Sequence, residues 1–338
     1  MKIWNRVRDI VGRVLEDWRV PSIPARNAVN NLSKGGPAAR WLSGPPNDAE
    51  GWEHFKEGEG ADRVFKADPA PIVAPKFTLP KRPKIFASGS CFAREIEFGL
   101  FHMGYDVLSW TPDMDKKFNG TFHRYTTHAI INDFKFALER EWSEDNIVKT
   151  GNQYIDYTGH GGFKTHEEAV QIRREIINRH KRITEADVLF VTLGLVEAWF
   201  DTQTQTYTNT PPFGQFLGKR FELRITNFME NYRTVQRFLT FLRKHKPDLK
   251  IILTVSPVPL KETFSGEDIV IANTYSKSVL RAVAQEVARN DPLTDYFPSY
   301  EMVVLADLDS AWLPDRRHVR HEFVEKIIRK FMDAYMRE

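Results

Sequence analysis

Several absences narrow the reading at once. A single cysteine, Cys91, stands among 338 residues, so no internal disulfide holds the fold and the chain suits a reducing compartment. Neither sign of charge is in excess. The chain has 48 lysines and arginines against 45 aspartates and glutamates, a formal charge of +3, far from the basic surplus of a protein built to grip phosphate backbones. Nucleic acid is therefore not an expected partner. No apolar run reaches membrane-spanning length, and Arg6, Arg8, Asp9, Arg13, Glu16 and Asp17 break up the start, which leaves no signal-peptide core. A cytoplasmic protein is the expectation. Gly159-His160-Gly161-Gly162 is followed by no Gly-Lys-Ser/Thr, so it is no phosphate loop. His123, His128, His160 and His166 are spaced by five, 32 and six, which matches no compact metal-ligand pattern. Neither a metal nor a cofactor is expected.

What is present falls into two parts. Residues 1 to 18 place Ile3, Trp4, Val7, Ile10, Val11, Val14, Leu15 and Trp18 at helical spacing, with Lys2, Arg6, Arg8 and Arg13 elsewhere on the wheel. Such a basic amphipathic helix can lie on an anionic membrane surface or pack on a protein face. From Pro21 to Pro80 the chain carries nine of its 19 prolines, an irregular arm whose aromatics Trp41, Trp52, Phe55, Phe65 and Phe77 suggest that it touches a folded body in places. Residues 1–80 thus read as helix and arm, and 81–338 as one domain.

Within that domain, apolar runs alternate with amphipathic segments. Strands are predicted at Lys84–Ser88, Asp106–Trp110, Asp187–Leu193, Lys250–Ser256 and Met302–Leu305. Helices are predicted at Phe92–Met103, Thr126–Trp142, Thr165–Arg182, Thr226–His245, Ile271–Arg289 and Val319–Met336. Strand and helix in turn imply an α/β domain with a parallel sheet. Ligands of such sheets bind beyond the carboxyl ends of the strands, so the residues following each strand are the first candidates for chemistry.

Ser90 follows a glycine and precedes a helix, where backbone amides face any developing negative charge; that suits a nucleophile, and equally an N-cap. Asp315 and His318 lie three apart, so the carboxylate can hold one ring nitrogen and leave the other free to take a proton. The same pair could be a cap beside a surface histidine. Cys91 is a second nucleophile in principle and a core-filling residue by habit. Glu197 follows a strand and could bind a substrate hydroxyl or steady a donor. Trp199 and Phe200 could form an acyl or sugar platform or simply pack.

The segment Phe86-Ala87-Ser88-Gly89-Ser90-Cys91-Phe92-Ala93 contains the five-residue signature of the GSCFA family. Further blocks resemble that family in order: Tyr125 to Thr127, Val191 to Trp199, Thr254 to Leu260, Thr274 to Arg281 and Tyr296 to Glu301. The family is similar to the SGNH, or GDSL-like, hydrolases. That resemblance implies a three-layer, flavodoxin-like parallel-sheet α/β domain, with Ser90 as nucleophile, His318 as general base and Asp315 orienting the imidazole. It implies an acyl ester hydrolase or O-acyltransferase acting on a carbohydrate or other small acylated substrate. One position departs from the hydrolase pattern: Val196 stands where an asparagine would donate to the oxyanion, and loss of such a donor costs about a hundredfold to a thousandfold in rate. Replacement donors are sought in the amides of Ser90, Gly120 and Gly194 and the side chain of Asn119. A binding protein that has lost turnover is one alternative, and a peripheral-membrane or assembly factor acting through residues 1–18 is another.

Overall fold

Alternation of buried side chains gives each central strand two apolar faces. The strands are β1 (Lys84–Gly89), β2 (Asp106–Val107), β3 (Val188–Leu193), β4 (Lys250–Val255) and β5 (Thr294–Tyr296). All pair in parallel, in the spatial order β2-β1-β3-β4-β5, which is the flavodoxin-like order. Phe86, Leu189, Val191, Ile251 and Leu253 face one side, Ile85, Ala87, Val188, Phe190 and Ile252 the other. The helices are α1 (Cys91–His102), α2 (Thr127–Leu138), α3 (His166–Lys181), α4 (Phe228–His245), α5 (Ile269–Asn290), α6 (Ser299–Val304) and α7 (His321–Tyr335). The first face packs on α2, α4 and α5, the second on α1, α6 and α7, so the domain is a three-layer α/β sandwich. Each fully buried Leu, Ile, Val or Phe in these layers contributes about 1.5–3 kcal/mol of burial energy.

The computed structural model describes residues 60–69, 71–112, 119–159, 161–212 and 219–336. All but Gly60 belong to one unit, residues 61–338. The amphipathic helix expected over residues 1–18, the arm up to residue 59, and His160 lie outside the described residues. The arm's end is described: the Leu79 N–H donates to Tyr335 O at 2.8 Å, and the Lys76 N–H donates to Asp295 Oδ2 at 3.0 Å. Among the described residues no helix is long and apolar enough to cross a membrane.

Helix starts follow their side chains. Thr126 Oγ1 accepts from the Ala129 N–H and Thr165 Oγ1 from the Glu168 N–H. Asn227 and Glu230 form a reciprocal capping box at α4.

Two expectations need correction. Met302–Leu305 is not a strand: it falls largely in α6, with Met302 and Val303 buried against the sheet, and the last strand is Thr294–Tyr296. A short apolar run does not distinguish strand from helix, and the true edge strand is polar because Asp295 serves as a tether, accepting from Lys76 and from the Tyr335 hydroxyl at 2.9 Å. No strand is predicted between α2 and α3 or between β3 and α4, yet both segments contain small antiparallel sheets. One pairs Ile147–Thr150, Gln153–Asp156 and Gly162–Phe163; the other pairs Thr206–Thr208, Glu197–Asp201 and Phe221–Ile225. Glu197 is therefore the first residue of a strand and is buried.

A buried ionic cluster joins these insertions to the sandwich. Arg173 Nη1 donates to Asp133 Oδ1 and its Nε to Asp156 Oδ2, both at 2.6 Å, while Arg124 Nε donates to the other Asp133 oxygen. Burial pushes the Asp133 carboxyl up, and Arg124 and Arg173 overcome this to hold it below the usual carboxylate range. Arg124 also donates from Nη1 to the carbonyls of Thr121 and His123, and its N–H donates to Gly89 O at 2.7 Å. The cluster thus fixes the 120–125 segment beside the end of β1.

Two histidines, His180 buried and His128 half-buried, lack a full countercharge. Burial pulls both His128 and His180 down to about 4, Lys135 and Arg224 adding to the effect at His128 and Asp133 opposing it at His180. Each folded value lies below the unfolded value of about 6.5. Below that pH the unfolded chain binds protons that the native state refuses, so stability is full above pH 6.5 and is lost as pH falls toward 4, by up to about 1.4 kcal/mol per pH unit per ring. Urea unfolding at pH 7 and pH 5 measures this slope. His128→Phe, which keeps an aromatic ring against Tyr207, should roughly halve it, the His180 contribution remaining; an unchanged slope would refute the assignment.

Candidate active site

The strand order reverses between β1 and β3, and a cleft of about 410 Å³ opens at their carboxyl ends, where such sheets bind ligands. Close backbone approach builds this end of the sheet. Gly89 has φ +149°, and a Cβ there would stand 2.4 Å from Thr192 O. A Cβ on Gly194 would stand 2.5 Å from Tyr125 O. Neither position has room for a side chain without moving backbone.

Ser90 sits between β1 and α1, 3% exposed, and caps the helix: its Oγ accepts from the Phe92 N–H at 3.3 Å. Ser90, Gly120, Gly194 and Glu197 all line the cleft. Asn119 opens a 3-10 turn, Asn119–Phe122, but its side chain lies outside the described residues. Glu197 is fully engaged: Oε1 accepts from the Thr263 hydroxyl at 2.5 Å and Oε2 from the Phe264 N–H at 2.8 Å, so it clamps the segment after β4 to the rim. Val196 is buried, and its N–H is directed to Ser276 Oγ at 3.4 Å; it offers the cleft no side-chain donor.

His318 and Asp315 occupy a tight loop closed by the Trp312–Val319 bridge. Asp315 Oδ1 accepts from the N–H groups of Arg317 and His318 at 3.0 Å, and the His318 ring Nδ1 donates to Oδ2 at 2.6 Å. The bonds from the His318 ring and from these two amides hold the Asp315 carboxyl well below the usual carboxylate range. Arg316, at φ +54°, takes the left-handed conformation the loop requires. The loop faces α1: His318 and His321 both act electrostatically on Glu95, and His321 Nδ1 lies 2.8 Å from a Glu95 oxygen. Arg317 reaches the cleft wall itself. The His318 side chain remains 47% exposed, and among the described residues no hydrogen bond joins it to Ser90.

Sequence reasoning missed three contributors to the cleft. Asn209 ties its walls together, accepting from the Tyr125 N–H at 2.9 Å and donating to His123 O and Gly159 O at 2.9 and 3.1 Å. Lys277, on α5, is 2% exposed and donates to Gly194 O at 2.9 Å. Burial pulls its amine down to about 7, with Cys91 acting the other way. Ser256, just past β4, is 1% exposed, and its hydroxyl has no hydrogen-bond partner among the described residues. The available signal for Lys277 was its helical phase, which lines it up with the buried Ala284 and Ala288. Tyr125 is pushed up to about 12, chiefly by burial, so the cleft holds a neutral phenol. Burial likewise pushes the Cys91 thiol up against the pull of Arg317 and Lys277, which keeps it protonated. Trp199 lines the cleft edge-on to Phe264, whereas Phe200 faces Tyr207 and the Arg224 guanidinium elsewhere.

The residues lining the cleft can bind a neutral or anionic ligand and present a hydroxyl to it; Arg317 is among them, whereas the expected pair Asp315 and His318 is not. Among the described residues no three His, Cys, Asp or Glu side chains form a metal cluster.

A solved structure similar to this chain is an acetyl xylan esterase from the rumen bacterium Butyrivibrio proteoclasticus, at 10% identity and a TM-score of 0.34, over 78% of this chain and 64% of the other. This chain thus spans less than two thirds of that protein. A search of curated proteins gives no match. The signature at the end of β1 and the ordered blocks around the cleft agree with a match of the GSCFA family model to residues 84–331, and the chain belongs to that family.

Proposed function

We propose that the cleft performs acyl-serine chemistry on an ester. The observation that carries this reading is the setting of Ser90: a buried hydroxyl at the β1–α1 junction, lining the cleft at the sheet's switch point, with the Asp315–His318 loop facing the same helix. Ser90 Oγ adds to the ester carbonyl as its proton passes to His318 Nε2. Asp315 holds the imidazole with its proton on Nδ1, which leaves Nε2 the basic nitrogen. Collapse of the tetrahedral intermediate breaks the bond to the alcohol, which takes the proton back from His318. Water then releases the acyl group in hydrolysis, or a second hydroxyl accepts it in transfer. The chemistry needs no cofactor. The exposed His318 ring turning toward Ser90 is the conformational step this cycle requires.

A small acylated carbohydrate suits the lining. Trp199 and Phe264 supply flat apolar surface, while Tyr125 and Thr208 supply hydroxyls at the walls. That no hydrogen bond joins Ser90 to His318 among the described residues favours one competing reading, a receptor that binds such a ligand without turnover.

Fluorophosphonate labelling of the purified full chain, with mass mapping of the adduct, separates the two. The acyl-serine reading expects an adduct on Ser90 that survives Cys91→Ala and disappears in Ser90→Ala. A folded protein that takes no label at Ser90 is the receptor's signature.

A further inference from the structure

The cleft contains two polar groups that the walls engage only in part or not at all. Lys277 has three donors, and its hydrogen bond among the described residues is to Gly194 O. Its nine-tenths burial would be costly for a charge without a partner, yet among the described residues no carboxylate pairs with it: Glu197, a buried acid of the cleft, is committed to Thr263 and Phe264. Ser256 contributes a buried hydroxyl with no partner among the described residues. Buried polar atoms are ordinarily satisfied, and these two line the same cleft as Ser90. A negatively charged oxygen is the ligand atom that satisfies both, since it accepts from an amine and a hydroxyl and supplies the missing countercharge.

We propose that Lys277 and Ser256 form an anion-holding floor in the cleft, and that the charge they hold is the oxygen that becomes negative when Ser90 adds to a carbonyl. The second half rests on the acyl-serine reading. In that step the Oγ–carbon bond forms, the carbonyl π pair moves onto the oxygen, and the serine proton goes to His318. The ammonium, anchored by Gly194 O, faces the electron pair until it returns to carbon and the bond to the alcohol breaks. Lys277 thereby supplies the charge stabilisation that the apolar Val196 side chain does not.

Methylphosphonate, a small tetrahedral anion, probes the floor without needing turnover. Titration calorimetry on the full chain is expected to find it bound to the wild type and bound about tenfold to hundredfold more weakly by Lys277→Met, with a smaller loss in Ser256→Ala. Dimethyl sulfone, which has a similar shape and no charge, should not distinguish the variants. Lys277→Gln, which keeps donors without charge, is the second variant should Lys277→Met fail to fold. No methylphosphonate binding to the wild type, or equal binding to the variants, overturns the floor. Fluorophosphonate labelling rates then identify the source of the charge. Slower labelling of Ser90 in Lys277→Met supports the reacting oxygen. Weaker methylphosphonate binding with an unchanged labelling rate overturns that assignment and gives the floor to a charged group of the substrate. An inert wild-type Ser90 beside methylphosphonate binding that Lys277→Met abolishes sinks the acyl-serine reading and leaves the anion floor standing.

Discussion

Replacing Asp133 with asparagine is expected to lower the unfolding free energy by about 3–5 kcal/mol, a large part of the roughly 5–15 kcal/mol that a domain possesses. Asp133 lies between two arginines, each 1% exposed or less, and accepts from both. Asparagine keeps the shape but removes the charge, so Arg124 is left without a carboxylate and Arg173 retains only Asp156. Solvent offers little compensation, because Asp133, Arg124 and Arg173 are each 1% exposed or less. Urea unfolding followed by circular dichroism measures the loss. The double variant Asp133→Asn/Arg173→Gln should lose less than the sum of the two single variants, since the Asp133–Arg173 contact that each single variant breaks is lost only once. A single-variant loss below about 1 kcal/mol would mean that the cluster acts as an exposed ion pair does. The effect should extend to the cleft, because Arg124 holds the carbonyls of Thr121 and His123 in the wall that includes Gly120 and Tyr125.

The parts of this molecule visible in its sequence are those with one local cause. β1, β3 and β4 are continuous apolar runs because helices cover both their faces, and the caps Thr126 and Thr165 announce the helices they start. Ser90 stands out because it lies between a strand's glycine and a helix. The features that stayed hidden depend on partners far apart in the chain. Asp133, Arg124, Arg173 and Asp156 look like ordinary surface charges until three elements bring them together. β5 reads as a polar loop because its stabilising contact comes from Lys76 and Tyr335. The strand Glu197–Asp201 stays hidden because its antiparallel partners, Thr206–Thr208 and Phe221–Ile225, lie further along the chain and are joined to it by no local pattern. Lys277 was concealed by its charge, since lysine is ordinarily assigned to solvent.

If the acyl-serine reading holds, Ser90→Ala should reduce ester turnover by about a thousandfold or more, and His318→Ala by about a hundredfold to ten-thousandfold. The two losses should not add, because the base has no proton to remove once the hydroxyl is gone; the double variant should match Ser90→Ala. Stability separates this from damage to the fold. Removing the Ser90 side chain forfeits an N-cap contact worth about 1 kcal/mol, and His318 is exposed, so both variants should unfold cooperatively near the wild-type midpoint. Asp315→Asn should affect the reaction differently. It retains the oxygen that receives the backbone N–H groups of Arg317 and His318 yet presents a neutral amide to the ring, so the loop keeps its shape while the imidazole loses the carboxylate that fixes its tautomer. Turnover should then fall while the melting midpoint stays put. Should Ser90→Ala and His318→Ala each leave ester turnover within about twofold of the wild type, the exposed pair is a loop-closing device and the chemistry belongs elsewhere. In that event the buried Lys277, which the wall hydrogen bonds leave with spare donors, becomes the residue from which the cleft's purpose has to be argued.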